Sequence, residues 1–140
     1  MIRLITWCKP YAKYILAIWL LTIISVSSVP SIPTLKIHTA HSEIRLDYLI
    51  HFCEYGVLAF MAFLSFADNT FRISFRKFAV ITLCLIAFAF LDELHQKFIP
   101  GRTYNIKDAL SNTLGIIAAL GYCVVVFRKI VKNSVKSVRN

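Results

Sequence analysis

Four long apolar stretches, set apart by short polar breaks, constrain this chain more than any other feature. They run over residues 11–29, 46–66, 78–96 and 109–127, and the last carries no charge. Each is close to the roughly 20 residues a helix needs to cross a bilayer. Strands are a poor alternative, because a lone strand leaves its backbone groups unpaired in hydrocarbon. A water-soluble domain of 140 residues also has too little interior for a chain that is 58% hydrophobic and only 16% charged. The expected fold class is therefore all-α: a four-helix transmembrane bundle forming a single domain over residues 1–140.

Breakers mark the ends of the stretches. "SVSSVPSIP" closes the first with Pro30 and Pro33, "ADNTF" closes the second, and "IPGR" closes the third with a Pro100-Gly101 turn signal. The first stretch is long for the about 7–15 apolar residues of a secretory signal, so a retained helix is expected. There are no internal repeats. The four cysteines show no CxxC spacing, and three of them lie in apolar runs, so they read as buried small hydrophobes.

A net charge of +9 would suggest nucleic acid on a soluble protein. Here the basic residues fall between and after the apolar runs, so anionic lipid headgroups are the expected counter-charge and nucleic acid is not. Residues 128–140 read as a basic, surface-associated and partly frayed tail. Orientation follows from the bias of basic residues toward the cytoplasm. With the N-terminus inside, Arg3, Lys9, Lys13, Arg72, Arg76, Lys77, Arg128, Lys129, Lys132, Lys136 and Arg139 are cytoplasmic, eleven residues in all. Lys36, Arg45, Lys97, Arg102 and Lys107 are outside, which makes five. Both termini are therefore expected in the cytoplasm. The second helix then starts, the third ends and the fourth starts on the outer face.

Those three helix mouths carry most of the acidic groups, five of the seven, Glu43 and Asp68 excepted. Asp47, His51 and Tyr55 are spaced by four and share a helical stripe with Glu54. Glu93 and Gln96 are three apart at the end of the third helix, with Asp92 and His95 pointing more to the sides. Asp108, Asn112 and Gly115 form a third stripe, and Gly115 with Ala119 is a small-residue pair that admits a neighbouring helix. Arg102 lies in the loop between. Ionisable groups in a membrane are costly unless they face protein or water. One polar cluster is expected: Asp47, His51, Tyr55, Glu93, Gln96, Arg102, Asp108 and Asn112. Each member also has a plainer reading. Asp108 caps a helix behind Asn105, Asp47 favours a helix start, His51 pairs with Asp47, Tyr55 and Gln96 are interhelical glue, and Arg102 meets lipid phosphate.

The segments "LDYLIHFCEYGVLAF" and "LDELHQKFIPGRTYNIKDALSNTLG" resemble the VanZ-like family of small membrane proteins. That family pattern sets an Asp, a His and a Tyr at four-residue steps, matched by Asp47, His51 and Tyr55. It continues with Glu-x-x-Gln, a Pro-and-Arg turn and Asp-x-x-x-Asn-x-x-Gly. Glu93, Gln96, Pro100, Arg102, Asp108, Asn112 and Gly115 match these positions. The motifs cover residues 47–121. The lysine that usually follows the Asp is Tyr48 here, which weakens any role for it in phosphate binding. The resemblance implies a multi-pass protein of a bacterial cytoplasmic membrane, linked to resistance to the glycopeptide teicoplanin.

Three functions fit these residues. The first is an enzyme acting on an envelope lipid or lipid-linked precursor. Glu93 or Asp108 is then general base, His51 a proton shuttle oriented by Asp47, and Arg102 a clamp on phosphate, with Tyr55, Gln96 and Asn112 binding substrate. The second is a binder or accessory protein using the same cluster without chemistry. The third is a proton-coupled transporter built on Asp47, His51 and Glu54, which four helices without a repeat disfavour unless the chain forms a homo-oligomer. A metal site of His51 with Asp47 and Glu93 has only one well-placed histidine, so no metal or cofactor is expected.

Overall fold

The computed structural model describes the backbone of residues 2–31, 36–38 and 43–139, and the side chains of residues 5–31, 46–129 and 131. Pro33 and the side chains of Arg3, Lys36, Arg45, Lys132, Lys136 and Arg139, used above for breaks and orientation, lie outside the described residues.

The chain forms helices α1 (Ile2–Cys8), α2 (Ala12–Ser27), α3 (Asp47–Phe66), α4 (Phe75–Gln96) and α5 (Ile106–Arg139). A 3-10 turn over Lys9–Tyr11 links α1 to α2. Four helical segments are long and apolar enough to cross a membrane: Ile5–Ser27, Asp47–Phe66, Phe75–Gln96 and Ile106–Lys129. The all-α expectation holds for these spans. One addition is a short antiparallel hairpin between α2 and α3, in which β1 (Lys36–His38) pairs with β2 (Glu43–Arg45), Ile37 opposite Ile44. A second difference is at the C-terminus. Where the sequence suggests a partly frayed tail, the α5 backbone stays helical to Arg139. Residues 128–139 contain neither proline nor glycine, so nothing local stops the helix.

Successive helices alternate in direction, which makes α3 and α5 parallel neighbours. Ser111 Oγ donates to the Tyr48 carbonyl at one end, and Phe63 stacks on Phe127 at the other with ring centroids 5.4 Å apart. Their buried stripes have helical period. On α3 they are Tyr55, Leu58, Ala59, Ala62 and Phe63, and on α5 Ala109, Asn112, Ile116, Leu120, Cys123 and Phe127, all buried. Gly115 sets the approach. A Cβ there would overlap the backbone carbonyl of Phe52, while Gly56 on α3 faces the Gly115 carbonyl in ordinary contact. The outer surface is greasy: Tyr14, Ile18, Leu21, Leu83, Leu91 and Leu114 are all exposed, as lipid-facing residues are. Cys53 and Cys84 also lie on outer faces. Only Cys123 is buried, which corrects the expectation of buried cysteines, and all four are free thiols.

The two ends of the bundle differ in chemistry. At one end Lys9 Nζ donates to the carbonyls of Ala67 (2.8 Å) and Leu64 (3.3 Å), capping the negative C-terminus of α3. The α3–α4 loop there is tied by Asp68, whose Oδ1 accepts from the Thr70 hydroxyl and from the amides of Thr70 and Arg72. Those bonds, led by the Thr70 hydroxyl, hold the Asp68 carboxyl below its ordinary value of 3.8. The other end collects the acids.

Candidate functional site

At the acidic end, α4 continues its buried face from apolar to polar. Leu85 and Ala89 are followed on the same stripe by Asp92, Glu93 and Gln96, all buried. The α4–α5 loop returns over this end. It is pinned to the exit of α2 by a bond from the Ser31 amide to the Pro100 carbonyl. Gly101 takes a positive φ of 76° there, and a Cβ would strike Ser31. α5 then begins under an N-cap, with Asn105 Oδ1 accepting from the Lys107 amide at 3.1 Å.

Two polar groups of different character result. The first is complete. Asp92 accepts from Ser27 Oγ (2.5 Å) and from Tyr55 Oη (2.9 Å), and Gln96 Nε2 donates to Ser27 Oγ (3.1 Å) and Glu93 Oε1 (3.4 Å). It joins α2, α3 and α4. Asp92 is 7% exposed and central to it, not turned aside. That corrects the placement read from spacing: α2 and α3 flank α4 on adjacent sides, so the face next to Glu93 is buried as well. Beside it, Ser28 Oγ lies 3.1 Å from His95 Nε2 on the surface.

The second group is open. His51 lies between two acids, with Nδ1 3.8 Å from Glu93 Oε1 and Nε2 3.9 Å from Asp108 Oδ2. These gaps exceed hydrogen-bond length. Asp108 Oδ2 also accepts from Asn105 Nδ2 at 2.9 Å, so its capping reading and its place in the cluster both hold. Glu93 and Asn112 are fully buried. Among the described residues, six buried side-chain atoms find no hydrogen-bond partner within the protein: His51 Nδ1, Glu93 Oε2, Arg102 Nε, Asp108 Oδ1, and Asn112 Nδ2 and Oδ1. All six belong to the residues that the sequence pattern singles out.

A family model described as VanZ/LLP1 matches residues 11–128. The chain belongs to the VanZ/LLP1 family. Neither the curated proteins nor the solved structures provide a match. This VanZ/LLP1 chain is a multi-pass membrane protein whose motif residues His51, Glu93, Asp108 and Asn112 meet at one bundle end.

The other motif residues stand differently. Tyr55 and Gln96 belong to the completed group with Asp92. Arg102 directs Nη2 at the carbonyls of Val26 (3.4 Å) and Ser27 (3.5 Å), where a cation suits the C-terminus of α2. Asp47 is half-buried at the first residue of α3, and among the described residues Glu93 and Asp108 lie at ion-pair distance from His51. Ser27 and Asp92 are the site residues that sequence reasoning missed. Ser27 lies inside the run "SVSSVP", where it reads as a helix end.

Proposed function

We propose that this is a bacterial cytoplasmic-membrane protein with both termini in the cytoplasm, whose open cluster works on the headgroup of an envelope lipid or lipid-linked precursor at the outer face. One observation carries the reading: six buried polar atoms without a protein partner, drawn from one small set of residues at a helix-bundle mouth. Buried polar groups in folded proteins are nearly always bonded, so a concentration of exceptions marks a place that takes a polar ligand. The acidic groups, with an imidazole between them, suit proton transfer at a headgroup. Glu93 takes the proton of an attacking hydroxyl as its oxygen bonds to phosphorus. The departing oxygen receives a proton from protonated Asp108 through His51 as its bond to phosphorus breaks, and the proton on Glu93 then passes through His51 to Asp108, which restores both groups. Arg102 stands by to hold the phosphate. The link to teicoplanin resistance is part of this proposal and rests on the family resemblance.

A non-catalytic binder is the second reading, favoured by the hydroxyls near the site. Ser27 is committed to Asp92 and Gln96, and Ser111 to the Tyr48 carbonyl, so neither is a free nucleophile. The two readings separate in comparative lipidomics of cells carrying wild type, Glu93→Gln and Arg102→Ala at equal membrane levels. Catalysis predicts a lipid species that changes with wild type and with neither variant. Lipid profiles identical in all three, with saturable lipid binding retained by Glu93→Gln, count against catalysis and for binding.

A further inference from the structure

His51, Glu93 and Asp108 can each place one nitrogen or oxygen so that all three atoms lie within 4.8 Å of one another. Their separations of 3.8 and 3.9 Å are too long for hydrogen bonds between them. They start from opposite ring nitrogens, only one of which can ligate a given ion, so the spread of 4.8 Å or less over one atom from each residue is what bears on a metal. Small side-chain rotations bring such atoms to the about 3.4 Å that separates ligands around zinc when each bond is about 2.1 Å. The side chains are thus spaced for a shared central atom better than for one another. Glu93 is fully buried, and its Oε2 has no partner in the protein, nor does Asp108 Oδ1. Asn112, one helical turn beyond Asp108 and also fully buried, has neither side-chain atom bonded. Charge points the same way. Two adjacent carboxylates at the end of a membrane bundle repel each other, and Arg102 has its Nη2 directed at backbone carbonyls.

We infer that His51, Glu93 and Asp108 ligate a divalent transition-metal cation. One imidazole nitrogen with two carboxylate oxygens favours zinc or manganese over magnesium and calcium, which prefer oxygen alone. Two carboxylates neutralise a doubly charged ion, so the site carries little net charge into a medium of low dielectric. Three protein ligands leave a coordination position open, the pattern of working metal sites and not of structural ones. What fills that position rests on the headgroup ligand proposed above, a phosphate oxygen, and not on the proton relay, because carboxylates that ligate a metal are ionised and hold the ion in place of moving protons.

The test uses the full chain purified in detergent micelles, stripped with chelator and dialysed against Zn²⁺ or Mn²⁺, with bound metal read by mass spectrometry. Wild type is expected to hold about one equivalent and to unfold at higher temperature when the metal is added. His51→Gln and Asp108→Asn each lower the affinity at least about tenfold and lose the thermal shift. Asp68→Asn, at the far end of the bundle, keeps both. Each variant is first shown to be monodisperse by size exclusion. Wild type that binds neither metal, or a double variant His51→Gln/Asp108→Asn that still binds a full equivalent, overturns the inference. Wild type that binds neither metal, in cells whose lipid profile still changes with wild type and not with Glu93→Gln, overturns the metal site and leaves the headgroup proposal standing. Metal bound by wild type and lost in the variants, with no lipid changed, supports the metal site and sinks that proposal.

Discussion

Replacing Gly115 with alanine separates α3 from α5 at the point where the site is built. The added Cβ would overlap the Phe52 carbonyl and lie within 3.1 Å of its Cα. These are backbone atoms, so no rotamer change relieves the clash and one helix must move. Overpacking of this kind costs about 1–3 kcal/mol. Alanine returns about 1 kcal/mol through its better helix propensity, leaving a net loss of up to about 2 kcal/mol. Two glycines in the same protein serve as controls. A Cβ on Gly56 meets the Gly115 carbonyl at 3.5 Å, an ordinary contact, so Gly56→Ala is near neutral. A Cβ on Gly121 meets nothing within 4 Å, so Gly121→Ala is neutral or stabilising by up to about 1 kcal/mol. Unfolding in mixed micelles by rising detergent denaturant, followed by circular dichroism, ranks the three. The order expected is Gly115→Ala least stable, then Gly56→Ala, then Gly121→Ala. His51 and Asp108 sit on the separated helices, so Gly115→Ala also weakens whatever the cluster binds. Equal stability of Gly115→Ala and Gly121→Ala would refute the close crossing, and with it the helix spacing that sets the site.

Two further outcomes follow from particular bonds. Tyr55→Phe removes one of the two side-chain donors on buried Asp92 and is expected to cost about 1–3 kcal/mol. Combined with Ser27→Ala, which removes the other donor, it should give a non-additive loss in a double-mutant cycle, and strict additivity would show that the network does not act as a unit. At the basic end, the Asp68 carboxyl is held below 3.8, so its contribution to the loop is full above about pH 4 and fades as pH falls through the lowered value. Hydrogen exchange at the Thr70 and Arg72 amides should lose protection in that acid range, and Asp68→Asn should flatten the dependence.

The spans were legible because hydropathy over about 20 residues is a strong signal, and their ends were not, because charge interrupts a membrane run without interrupting a helix. The third apolar stretch begins at residue 78, yet α4 starts at Phe75, with Arg76 and Lys77 in its first turn under a Ser74 cap. The fourth begins at 109, yet Ile106, Lys107 and Asp108 are already helical. The site was legible where periodicity and end of helix sufficed. His51, Glu93, Asp108 and Asn112 share a bundle end because their helices alternate in direction. Asp92 was misplaced because spacing gives angles around one helix and says nothing of how many neighbours that helix has. Ser27 was invisible for the same reason: its value comes from α4 lying against α2. Gly56 escaped notice because it matters only opposite Gly115.

The contrast between the two polar groups bears on what the cluster is for. Leaving one buried polar atom unbonded costs about 1–3 kcal/mol, so six left unbonded would cost as much as the about 5–15 kcal/mol of a typical protein's whole stability. A chain able to satisfy Asp92 with Ser27 and Tyr55 is evidently able to satisfy buried acids where satisfaction suffices. Next to it, Glu93 has one oxygen fixed by Gln96 and the other left without a protein partner. Gln96 is in turn fixed by Ser27, so the completed network holds Glu93 in place from behind. That arrangement aims a carboxylate while leaving its working oxygen uncommitted, which is how preorganised sites hold a reacting or ligating group. Disturbing the rear network should therefore loosen ligand binding at His51 and Asp108 without touching either. Ser27→Ala, which removes no group from the open cluster, is the variant that separates positioning from contact.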